Sequence, residues 1–159
     1  MRRKDRERDE NFALGVIDSA PYGVMALADE NGKPYAIPLS LVRIGHFLYF
    51  HSAHEGTKND IIKNNPNAVV TFADNVVPAE KEFTTGYDSA IVKGKVMEIT
   101  DEAEKIEAMR KLSEHYCPAN MESFDKAIEK SIKITAIFKM SMDEVTGKQK
   151  ILTKHEYHS

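Results

Sequence analysis

Short runs of alternating residues, joined by connections too brief for a parallel crossover, constrain this chain more than any other feature. In Pro34 to Val42, residues Tyr35, Ile37, Leu39 and Leu41 share one face of an extended segment, and Ala36, Pro38, Ser40 and Val42 share the other. Tyr22 to Asp29 precedes this run across Asn31-Gly32, a pair suited to a type I′ turn, and Phe47 to Ser52 follows a turn at Gly45. Ala68 to Ala73 and Ala90 to Ile99 read as further strands. In the last, Ile134, Ala136, Phe138, Met140 and Met142 alternate with Lys133, Thr135, Ile137, Lys139 and Ser141. Parallel neighbours need a crossover of about a dozen residues or more, and most of these connections are shorter. The pattern predicts a six-stranded antiparallel barrel with a few packed helices, an α+β chain that is mainly β. Val24, Ala26, Ile37, Leu39, Phe50, Val70, Phe72, Val92 and Phe138 are its predicted core.

Helical spacing marks four places. Phe12, Val16 and Ile17 follow a cap at Asp9 or Asn11, and Pro21 closes that segment. A second helix is predicted from Glu55 to Asn64, because Pro66 restricts Asn65. Thr100 is predicted to cap a third, with Asp101 and Glu102 at its positive end, an apolar stripe of Ile106, Met109, Leu112 and Tyr116, and a Glu107–Lys111 pair. The fourth lies around Glu122 to Lys130. No repeat, linker or low-complexity tract interrupts the chain, so residues 1–159 are read as one domain.

Charge narrows the partners. A net charge of −3 argues against nucleic acid or an anionic membrane. The basic opening, Met1 to Lys4 with Arg6 and Arg8, is interleaved with Asp5, Glu7, Asp9 and Glu10, and reads as a solvated face. No apolar stretch follows it as in a signal peptide, and none elsewhere is long enough to span a bilayer. One cysteine, Cys117, excludes an internal disulfide, and a reducing cytoplasm is the expected location.

The common nucleotide-loop, nucleophile-elbow and paired-cysteine signatures are missing. The junction His51-Ser52-Ala53-His54-Glu55-Gly56-Thr57-Lys58 instead offers a strand end, a glycine turn and a helix start. Such a junction can gather backbone N–H groups, the hydroxyls of Ser52 and Thr57 and the Lys58 ammonium around a phosphate; the alternative is a plain polar loop with a capped helix. His51 shares a strand face with Phe47 and Tyr49 and would sit beside a bound ring or be a half-buried histidine satisfied by backbone. His51 and His54 have no third partner at a recognisable metal spacing, so no metal is assigned. Cys117 reads as an inert thiol. Thr84, Thr85, Tyr87 and Ser89 form either a hairpin rim or a ligand-facing surface.

Leu48 to Phe72, LYFHSAHEGTKNDIIKNNPNAVVTF, resembles the FMN-phosphate segment of the pyridoxamine 5′-phosphate oxidase-like flavoproteins. Ser52, Thr57, Lys58 and Asn65-Pro66 fall at matching spacings. The opening MRRKDRE, the segment GVMALADENGKPYAIPLS, the LYFHSA run and TTGYDSAIVKGK resemble the 5-nitroimidazole resistance group within that superfamily. The resemblance implies a split barrel, a homodimer and FMN at the subunit interface. It implies the phosphate on Ser52, Thr57 and Lys58, the strand Ile37, Pro38, Leu39 and Ser40 along the isoalloxazine edge, and His51 near the ring as the catalytic candidate. The Tyr87 to Ser89 region is a further contact with cofactor or substrate. Two departures count. Thr57 stands where the oxidases commonly place arginine, and the tail GKQKILTKHEYHS lacks their Arg-x-His substrate element, which argues against that activity. The expected function is an FMN-dependent reductase that takes hydride from reduced nicotinamide and reduces a small acceptor, such as a nitroimidazole or another nitroaromatic. The alternative is a flavin- or haem-holding protein without turnover.

Overall fold

A computed structural model describes residues 2–152; Met1 and residues 153–159, where the predicted lack of an Arg-x-His element in part falls, lie outside the described residues. The elements follow in order: β1 (Glu7–Arg8), α1 (Glu10–Ser19), β2 (Gly23–Ala28), β3 (Pro34–Leu39), β4 (Val42–Ile44), β5 (Phe47–Ser52), α2 (Thr57–Asn64), β6 (Asn67–Ala79), β7 (Thr84–Glu98), α3 (Glu102–Tyr116), α4 (Phe124–Ser131), β8 (Ala136–Ser141) and β9 (Glu144–Lys150). A 3-10 segment, Pro118–Ser123, links α3 to α4.

All strand pairs are antiparallel, as the short connections require. The main path runs β3-β2-β6-β7-β8-β5-β4. β7 is its spine. One edge of β7 pairs with β6; the other pairs with β9 from Tyr87 to Lys93 and with β8 from Val96 to Glu98. The change of partner occurs at Gly94, where a Cβ would lie 1.8 Å from the backbone oxygen of Ser141. No side chain fits so close an approach. Ser141 Oγ accepts from Lys95 N–H (3.0 Å), and Asp143 N–H donates to Lys93 O (2.9 Å), so backbone groups at the divide are satisfied internally.

The ends of the path, β3 and β4, are consecutive in the chain and joined by Ser40-Leu41, yet no ladder connects β3 to β4 or β5 among the described residues. The barrel is therefore split along this line. Inside it, Phe50 and Phe138 stand directly opposite with rings stacked 5.3 Å apart, surrounded by Met25, Leu48, Val70, Phe72, Val92 and Met140. Each fully buried apolar side chain of this size contributes about 1.5–3 kcal/mol. α1 closes one side through Ala13, Val16, Ile17 and Ala20. α3 covers the outside of β5 and β8, where Tyr49, Ile99, Ala108 and Ile137 form a second cluster.

The α+β split-barrel class is the predicted one, but the sheet holds nine strands rather than six. β9 is the main addition; its polar sequence EVTGKQK hides a strand that pairs with both β7 and β1. Pro34 to Val42 breaks at Ser40-Leu41 into β3 and β4, whereas β6 and β7 extend beyond their predicted limits through a bulge between Asp74 and Val77, with Asn75 at φ 50°. In β2 the core residues are Met25 and Leu27, not Val24 and Ala26, a slip of one residue that moves every side chain to the other face. Ile37 and Leu39 are half-buried against the core. The β2–β3 turn is not type I′: Asn31 keeps a negative φ, Gly32 (φ 79°) donates to Asp29 O, and the Asp29 carboxylate accepts from Asn31 and Lys33 N–H. Asp9 caps α1 through Phe12 N–H. Asp101, not Thr100, caps α3 through Glu104 N–H (2.8 Å), and Lys111 bonds Glu114 rather than Glu107.

Candidate functional site

The split brings together residues that are distant in sequence. Val42 pairs with Tyr49 and the ladder stops there, so Ser40 and Leu41 leave β5 as the chain crosses to the other end of the sheet path. β3 pairs only with β2, so its other edge keeps its main chain free of a ladder. Along this edge the side chains of Ile37 and Leu39 turn inward, while Pro38 and Ser40 are exposed. Ile37 and Leu39 thus present only main chain to the gap. At one end of the gap Tyr116 holds the crossing residue from both sides: Leu41 N–H donates to the phenol oxygen (3.1 Å), and the phenol donates to Leu41 O (2.9 Å). Burial pushes the Tyr116 phenol up from its ordinary value, so it stays neutral and able to donate.

At the other end β5 runs into α2. Gly56, the residue before α2, takes φ 136°, a conformation reserved for glycine, and offers no side-chain cap. Asn59 and Asp60 N–H donate to Gly56 O, so Thr57 and Lys58 N–H are the α2 amides left without an intrahelical or side-chain acceptor among the described residues. Beside them, Lys58 Nζ donates to Ser52 Oγ, Ser52 Oγ donates to Asn59 Oδ1 (3.3 Å), and Asn59 Nδ2 donates to Ala53 O (2.7 Å). Ser52 and Asn59 are buried, and Lys58 is half-buried. No carboxylate among the described residues lies within ion-pair distance of Lys58, and burial lowers its pKa. A partly desolvated ammonium on a neutral hydroxyl, beside open helix-start amides, has the chemistry to receive an anion.

The structure joins Ser52 to Lys58 and leaves the other candidate side chains outside that contact. Thr57 is exposed and lines a hollow of about 200 Å³ with Asp29, Glu30 and Asp60, so its side chain stands among carboxylates. His51 is exposed on the face of β5 opposite Ser52. His54 Nδ1 lies 3.8 Å from Glu98, and no group of three metal-ligating side chains gathers among the described residues. Cys117 is exposed just after α3. Thr84, Thr85, Tyr87 and Ser89 belong to β7 itself. Asn59 and Tyr116 are the residues that sequence reasoning missed as parts of this site: a helical asparagine and the last aromatic of an apolar stripe carry no local signal of polar work.

β5 also borders a contrasting lysine. Lys139 Nζ donates to the Glu104 carboxylate (2.7 Å), which also accepts from Tyr49 OH (3.1 Å). Burial first, and Glu104 second, push the Tyr49 phenol up to about 12.

A family profile described as pyridoxamine 5′-phosphate oxidase matches residues 9–149. A protein assigned to 5-nitroimidazole antibiotic resistance from Bacteroides thetaiotaomicron shares 25% identity over 89% of this chain and 84% of its own, with a TM-score of 0.74. The flavocytochrome Anf3 of Azotobacter vinelandii shares 22% identity over 99% of this chain and 77% of its own (TM-score 0.79). An FAD- and haem-binding protein of Mycobacterium smegmatis shares 18% over 96% and 78% (TM-score 0.77). No curated protein matches the chain in sequence. Among the described residues no helix is long and apolar enough to cross a membrane.

Proposed function

The chain belongs to the pyridoxamine 5′-phosphate oxidase family, and on that footing we propose that it is an FMN-dependent reductase of a small acceptor, a nitroimidazole or another nitroaromatic. The observation that carries the reading is the half-buried Lys58 ammonium resting on Ser52, with no carboxylate among the described residues within ion-pair distance. Lys58 and Ser52 would hold the FMN phosphate, with the first amides of α2, Thr57 N–H among them, completing the grip. The open edge of β3 from Ile37 to Ser40 would hold the polar rim of the ring through its main chain. Bound there, the flavin supplies two-electron chemistry between reduced nicotinamide and the acceptor. His51, exposed at the rim of the split, would deliver a proton to the acceptor or hold it in place.

The same reading includes a homodimer. The outer face of β3, β2, β6 and β7 carries Ala36, Pro38, Val24, Ala26, Val69, Thr71 and Ile91, and Ile91 is 40% exposed. A flat face of small apolar residues suits a second copy, and a cleft of about 630 Å³ along it, lined by Ala26, Ala28, Val69, Lys93 and Lys95, would be roofed by that copy.

The test is to purify the full chain, record its visible spectrum, identify any released cofactor by mass, and determine its oligomeric state. Stoichiometric FMN on a dimer supports the reading; a colourless chain that also refuses added FMN removes it. A haem-holding protein is the second reading, favoured by the fold shared with the FAD- and haem-binding protein and by the exposed His51 and His54. A Soret band in the same spectrum would select it. Reduction of nitroaromatics by the His51→Ala variant at the wild-type rate, with FMN affinity unchanged, would remove His51 from the chemistry.

A further inference from the structure

The Ser52–Lys58 contact has a third member, and it is the least expected residue of α2. Asn59 is 2% exposed, although asparagine is a poor helix former and a buried amide is tolerated only when it is hydrogen-bonded. The other buried residues of α2, Ile61 and Ile62, are of the apolar kind that such positions ordinarily take. The backbone makes no demand on the side chain either, since Asn59 N–H already donates to Gly56 O (2.9 Å). The amide must therefore be explained by what its two ends touch.

Asn59 Nδ2 donates to Ala53 O (2.7 Å), in the turn that leaves β5. That bond fixes which way round the amide lies and turns Oδ1 toward Ser52 Oγ, 3.3 Å away. An amide oxygen can only accept and an ammonium can only donate. The Ser52 hydroxyl thus has one arrangement that serves both neighbours: its proton goes to Asn59, and its lone pair receives Lys58 Nζ. All three bonds run in the same direction, from Lys58 through Ser52 and Asn59 to the main chain at Ala53, and bonds aligned in this way polarise one another. A tie between α2 and the end of β5 would need the amide nitrogen alone. The oxygen serves Ser52, and removing it would free the hydroxyl to turn its lone pair away from the ammonium.

We propose that Asn59 is a positioning residue for the anion cradle: it fixes the Ser52 hydroxyl and, through it, seats the Lys58 ammonium before a phosphate arrives. The inference rests on the reading of Ser52 and Lys58 as the FMN-phosphate grip. Asn59 makes no bond to the ligand itself, because both ends of its amide are taken. Its contribution is to order the cradle in advance. A free lysine side chain has many rotamers to lose on binding, and one already seated loses fewer.

The test is a double-substitution cycle on the purified full chain, read by fluorescence titration with FMN. Asn59→Leu keeps the shape of asparagine without its polar atoms and should weaken FMN about threefold to tenfold, the range of one neutral hydrogen bond. In a Ser52→Ala or a Lys58→Ala chain the same substitution should have no further effect, because the path from Asn59 to the ammonium is already cut. Equal weakening in all three backgrounds would make Asn59 a plain tie between helix and strand, and the proposal is then overturned. FMN affinity unchanged in Asn59→Leu but reduced in Lys58→Ala overturns it too, and leaves the flavin reading standing. A second readout needs no flavin. In the flavin-free chain the nitrogen-15 signal of Lys58 Nζ, identified by its loss in Lys58→Ala, should be sharp in wild type, where the seated ammonium is shielded from exchange with water, and broadened in Asn59→Leu. Identical signals in the two chains overturn the proposal whether or not FMN binds, whereas a wild-type chain that refuses FMN while the signal changes overturns the flavin reading alone. Should Asn59→Leu fail to fold, Asn59→Ala carries the same cycle and the same signal.

Discussion

Two lysines border β5, and their surroundings are opposite. Lys139 donates to the Glu104 carboxylate beneath α3, and that carboxylate is further held by Tyr49. Among the described residues Lys58 donates only to the Ser52 hydroxyl at the mouth of α2. Both are partly withdrawn from water, but only Lys139 has its charge answered within the described chain. A compensated cation holds a helix to a sheet. An uncompensated one lowers the stability of the empty protein and gains from an incoming anion. The contrast sets a compensated charge beside an uncompensated one within one strand's reach.

The largest expected effect comes from removing the contrast. Ser52→Asp gives Lys58 a carboxylate, and a phosphate would then meet a like charge. FMN affinity should fall by about 3 kcal/mol or more, roughly a hundredfold, with the fold retained. Fluorescence titration of FMN checks this, and unchanged affinity would mean that Ser52 and Lys58 do not face the ligand. Next, Lys58→Ala should weaken FMN by about 1.5–3 kcal/mol while leaving the denaturation midpoint of the flavin-free protein unchanged or higher. A drop in that midpoint would make Lys58 a structural residue like its counterpart. Lys139→Ala should do the reverse, costing about 1–2 kcal/mol of unfolding free energy in urea because Glu104 loses its cation, with FMN affinity intact.

The smallest effect is confined to alkaline pH. The Tyr49 phenol is held above its ordinary value of 10.0, at about 12. The unfolded chain therefore releases this proton first as pH rises. Tyr49 contributes stability that is fully present below pH 10 and is lost between 10 and about 12. Unfolding curves across that window should fall less steeply for Tyr49→Phe than for wild type; parallel curves would mean that the phenol is not under this constraint.

The contrast was half legible in the sequence. Ser52 and Lys58 could be read because strand end, glycine and helix start lie within seven positions, and short spacing survives folding. The Tyr49–Glu104–Lys139 group could not, since its members come from three elements and each is an ordinary polar residue in its own segment. The core follows the same logic. Thr71 separates Val70 from Phe72, so the phase of β6 was readable, whereas GVMALA in β2 is apolar throughout and alternation gives it no phase. β9 escaped because a strand that offers one face to solvent and pairs on both edges needs few apolar residues. The split itself was inherited from resemblance: nothing local in Ser40-Leu41 marks where a ladder stops.

Tyr116 sets the order in which this architecture becomes competent. Its phenol reaches Leu41 across 75 positions of chain. The gap between β3 and β5 therefore acquires its final width only when the end of α3 docks, after nearly three quarters of the residues have been synthesised. A nascent chain with β2 to β6 already paired would bring Ser52 and Lys58 together but leave the open edge of β3 without its anchor at Leu41. The last contact to set that edge is thus a single hydroxyl.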